Sequence, residues 1–73
     1  MNEEDRVRYG VITAFNRRNW WGRIALASGD RVTFHGTCVA GMQAHSPPRN
    51  GERVRVLYSD AKRERLLTVF VQR

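Results

Sequence analysis

Hydrophobic residues recur at every second position along this chain, in runs too short for a helix face and separated by turn-forming residues. That pattern restricts the chain to short strands. The first run is Arg6 to Phe15 (Arg-Val-Arg-Tyr-Gly-Val-Ile-Thr-Ala-Phe), closed by a polar loop, Asn16-Arg17-Arg18-Asn19. Trp20 to Leu26 is the second, Ser28-Gly29-Asp30 a tight turn, and Arg31 to His35 the third. In that third strand Val32 and Phe34 fall on one face, Thr33 and His35 on the other. Gly36 to Asn50 is a long connection. Its Pro47 and Pro48 cannot sit in a central strand, and one helical turn fits near Thr37 to Ala40. After the Asn50-Gly51 turn, Arg53 to Tyr58 reads as the fourth strand. Ser59 to Glu64 then bridges to a fifth, Leu66 to Gln72. The expected core is Ile12, Ile24, Val32, Phe34, Val39, Val54, Val56, Leu67 and Val69.

With 73 residues the chain forms one domain with a small core. A deep catalytic cleft between lobes is excluded. No apolar run approaches the roughly 20 residues that a membrane-spanning helix needs, and no apolar signal segment follows Met1. The single cysteine, Cys38, excludes an intrachain disulfide and a thiolate-rich zinc site. Nothing demands an oxidising compartment, so the cytoplasm is expected.

Charge narrows the partners. Thirteen Lys+Arg against seven Asp+Glu give +6. Three of those acids, Glu3, Glu4 and Asp5, lie in residues 1–5, read as an acidic, solvated leader. Over residues 6–73, read as the folded domain, the 13 basic residues face four acids, +9. Such a surface attracts polyanions. Lys62 is the only lysine among the 13. A biased genome composition would produce that preference. So would selection for guanidinium planes, which stack on bases and fork onto phosphates as lysine cannot.

Three meander strands, a long crossover and a hairpin predict an all-β protein: a five-stranded antiparallel barrel of OB type, with a small SH3-like barrel as the alternative. The residues add to this. Gly10-Val-Ile-Thr-Ala-Phe-Asn16 is similar to G-x-V-K-W-F-N, Asn19-Trp-Trp-Gly-Arg-Ile24 stands at the place of K-G-F-G-F-I, and Val32-Thr-Phe-His35 at that of V-F-V-H. Asn50-Gly-Glu-Arg-Val54 is similar to a G-E-x-V turn, after about one inserted residue. With these motifs the chain resembles the cold-shock domain over nearly its whole length.

The resemblance implies single-stranded nucleic-acid binding on a platform of aromatic side chains. Phe15, Trp21 and His35 keep a ring at platform positions, whereas Ala14, Arg23, Thr33 and Gly36 stand where the family has one. Each lost stack removes roughly 1–3 kcal/mol of binding. Arg23 can compensate by stacking on a base or pairing with a phosphate, or it is simply a solvated residue. Arg17, Arg18 and Arg31 are expected close to the platform. Trp20, at the place of a family glycine, is expected to point opposite to Trp21, towards the core edge.

His35, His45 and Cys38 match no zinc spacing, and a Cys38–His35 pair lacks a cleft and an orienting group. No metal, cofactor, membrane or enzymatic role is therefore expected. Two functions stay open. One is binding of single-stranded RNA or DNA with little sequence preference. The other is a protein-docking barrel using Trp20, Trp21, Phe15, Ala14 and Gly36 as an apolar patch rimmed by arginine.

Overall fold

The computed structural model describes residues 6–40, 47–59 and 65–72, without the side chain of Leu67. The expected leader (1–5), His45 and the core assignment of Leu67 lie outside that description. Five strands form a single antiparallel sheet: β1 (Val7–Asn16), β2 (Trp21–Leu26), β3 (Arg31–His35), β4 (Arg53–Tyr58) and β5 (Leu66–Val71). Their order is β3-β2-β1-β4-β5, so β1 is central. The sheet curls strongly into a half-barrel, and no α-helix occurs among the described residues. This is the expected all-β, five-stranded antiparallel class, and it is compatible with an OB-like arrangement.

Local chemistry places the strand ends. At the β2–β3 turn Gly29 has φ 97°, and its N–H donates to the Leu26 carbonyl at 2.9 Å. Ser28 Oγ donates to Asp30 Oδ2 at 3.1 Å. Before β4, Gly51 has φ 88°, a conformation open to glycine at little cost. The Glu52 carboxylate accepts from the Arg49 N–H at 2.6 Å. The Gly51 N–H donates to the Ile12 carbonyl, and the Ile12 N–H to the Glu52 carbonyl, which docks this turn on β1.

The helical turn expected near Thr37 is a 3-10 turn, Gly36–Cys38. His35 caps it, with Nδ1 accepting from the Thr37 N–H at 3.2 Å. This turn diverts the chain from the β3 edge. The far edge is reached by one parallel bridge, Val39 to Val69, with the Ala40 N–H donating to the Val69 carbonyl at 2.9 Å.

The core consists of Ile12, Ile24, Leu26, Phe34, Val39, Val54, Val56, Tyr58 and Val69. At roughly 1.5–3 kcal/mol per large side chain, this cluster is the main stabilising feature of so short a chain. Three positions correct the expectation from sequence. Val32 is only half-buried, because β3 is an edge strand covered on one side. Leu26 and Tyr58 join the core, continuing the inward alternation of β2 and β4 to their last residues.

Candidate nucleic-acid interface

Pairing registers set out the outer face of the sheet as rows. Asn16 lies opposite Trp21, and Trp21 opposite His35. The next row is Ala14, Arg23 and Thr33. Between them the inward row holds Phe15, Gly22 and Phe34. These rows depend on a bulge in β1. Ile12 pairs with Ile24 and faces the core, yet Ala14 pairs with Arg23 and faces outwards. Strict alternation would put Ile12 and Ala14 on one face. The irregularity between them, at Thr13, reverses the parity.

Trp21 is the most exposed tryptophan of this corner, at 49%. Its ring meets His35 edge-on, with centroids 4.9 Å apart and planes at 78°. The cap on Thr37 and the contact with Trp21 hold the half-buried histidine in place. Arg23 stands exposed between two short side chains, Ala14 and Thr33. The result is an open depression of about 560 Å³, walled by Trp21 and Arg17 and lined by Ala14, Arg23 and Thr33. Three of the four positions that lack a ring in the sequence comparison thus form the hollow itself.

Phe15 differs from its expected place on the platform. Beyond the bulge it faces inwards, opposite Gly22, with its ring stacked on Phe34 at 5.9 Å and 22°. It is still one of the residues that line the depression. Gly22 permits this stack: a Cβ there would lie 2.6 Å from Phe34 and 2.8 Å from Phe15.

Trp20 is turned to the core edge, as expected, but by a turn and not by strand alternation. It precedes β2 in a left-handed conformation, φ 62°, and packs half-buried on Phe15 at 5.5 Å. Two asparagines shape this loop. Asn16 Oδ1 accepts from the Arg18 N–H at 2.8 Å, and Asn19 Oδ1 from the Trp21 N–H at 3.0 Å.

The arginines are distributed unevenly. Arg17 borders the depression, and Arg18 is exposed in the same loop. Arg31 lies a row beyond Thr33, opposite Ala25, so it is further from Trp21 than expected. None of Arg17, Arg18, Arg23 and Arg31 is engaged by a carboxylate among the described residues.

Sequence reasoning overlooked the other half of this face. Tyr9 is 56% exposed, and Arg55 stands over the Phe70 ring at 4.5 Å. Alternation in residues 6–9 groups Tyr9 with Val7 on the apolar side, so its exposure beside Arg55 appears only from the pairing register. No family model matches the chain, and no curated protein matches it at a significant level.

Proposed function

We propose that this domain binds single-stranded RNA or DNA with little sequence preference, as the resemblance to cold-shock domains implies. The observation that carries the proposal is the pairing of an exposed Trp21, set against His35, with an exposed Arg23 on the same face that no carboxylate among the described residues engages. An outward tryptophan beside an outward arginine adds little to packing, but it suits stacking on a base and contact with a phosphate. Three ring positions given over to a hollow shift the balance of affinity from stacking to charge. A protein of this kind opens hairpins by mass action, because it binds the unpaired state and so favours it.

The protein-docking reading takes Trp20, Trp21, Phe15, Ala14 and Gly36 as an apolar patch. Trp20 and Phe15 pack half-buried in a stack that ends on Phe34, and Gly36 is buried, so that Trp21 is the one exposed ring of the five.

Tryptophan fluorescence tests the proposal. Emission is expected to quench as a single-stranded oligonucleotide is added at low salt. Trp21→Ala is expected to weaken binding by about 1–3 kcal/mol, with the thermal midpoint unchanged, since the ring is half-exposed. Unchanged emission at micromolar protein, or a Trp21→Ala chain that unfolds without a separate binding defect, would refute it.

A further inference from the structure

The outer face continues past the Trp21 corner onto β4 and β5. Beyond the bulge, one row runs Arg53, Val11, Ala25 and Arg31 across four strands. The next places Tyr9 opposite Arg55 and Arg55 opposite Phe70. Phe70 seats the Arg55 guanidinium at 4.5 Å, a cation–π contact that restricts a flexible side chain. Ala25 and Ala27 are small, and beside Tyr9 they leave a hollow of about 480 Å³ that Arg53 also borders. Apart from Trp21, Tyr9 and Val11 are the large hydrophobic residues most open to solvent among the described residues, at 56% and 39%.

From Trp21 to Tyr9 the path is Trp21, Arg23, Ala25, then across to Val11 and on to Tyr9. Six residue steps at about 3.3 Å make roughly 20 Å. At the rise of about 3.4 Å per nucleotide that each strand has in a duplex, this path takes about six nucleotides. Along it aromatic rings stand at both ends and arginines in every row between. The face carries no acidic residue in any of these paired positions. That sign of charge matches a polyanion and opposes an arginine-rich second copy of the chain.

The geometry points to a second nucleic-acid contact at Tyr9, Arg53 and Arg55, which extends the single-stranded track from the Trp21 platform across β1 onto β4. This inference rests on the single-strand reading above. Tyr9 supplies the second stacking ring, and Arg53 and Arg55 take the phosphates that lead to it.

Oligonucleotide length separates the two contacts. Labelled oligothymidylates of about four and about ten nucleotides, titrated by anisotropy, cover the platform alone and the whole track. Tyr9→Ala is expected to weaken the longer one about tenfold and leave the shorter one unchanged, while Tyr9→Phe binds both as the parent does. Arg55→Gln is expected to lower the salt slope by about 0.7 for the longer one only. Equal losses for both lengths, or none for either, would overturn the extension while Trp21→Ala still weakens the short oligonucleotide. If neither Trp21→Ala nor Tyr9→Ala affects any oligonucleotide, the underlying reading fails as well. A Tyr9→Ala chain that binds both lengths normally but sediments as a smaller species would show a second copy on this face, which also overturns the proposal.

Discussion

Trp20 occupies a conformation that costs a non-glycine residue about 1–2 kcal/mol. The loop is held in this shape by the Asn16 and Asn19 side chains, which accept from the Arg18 and Trp21 N–H groups on either side of it. The indole recovers part of the cost on Phe15. Two residues on, the demand is reversed, since Gly22 has no room for a side chain. Gly22→Ala is expected to destabilise the fold by about 1–3 kcal/mol through overpacking against Phe34 and Phe15, measured by urea denaturation. At Arg23 the expected effect is on binding. Arg23→Phe is expected to reduce the salt slope by up to about 0.7 while restoring a ring, and Arg23→Ala to lose both contributions. Identical titrations for the parent and both variants would mean that the arginine only meets solvent.

At the level of elements, β1 decides which side chains reach the site. Its bulge turns Ala14 out and Phe15 in, and without it the platform would be a different set of residues. The turn ahead of β4 matters equally, because it docks on Ile12 at the core end of the same strand. Gly51→Ala is expected to cost about 1–2 kcal/mol in thermal denaturation, from its φ of 88° alone, as no atom lies near the added carbon. Alternating polarity made the strands legible: β3 and β4 have the bounds read from sequence, and Ile12, Ile24, Phe34, Val54, Val56 and Val69 are buried as expected. The bulge at Thr13 was not legible, because a one-residue parity change leaves no mark in composition. The inward turn of Phe15 onto Phe34 follows from that bulge and was not legible either. Tyr9 and Arg55 went unnoticed because their partnership exists only once β1 pairs with β4.

For the molecule as a whole, a net charge of +6 spread over so few residues means that any polyanion is attracted, duplex included. Stacking rings discriminate, because a duplex hides its base faces. Single strands are therefore expected to bind more tightly than duplexes at every salt concentration, with the gap persisting as salt rises and charge is screened. Parallel titrations check this, and a gap that vanishes at high salt would leave charge as the sole source of affinity. The strand order has a kinetic side. β1, β2 and β3 are joined by short turns and pair with their neighbours in sequence. β4 reaches β1 only after the long connection has been drawn closed, a step with a larger entropic barrier. The Trp21 corner belongs wholly to the early, local part of the chain. Its rows need only the meander of neighbouring strands, while the Tyr9–Arg55 row needs the long-range pairing of β1 with β4.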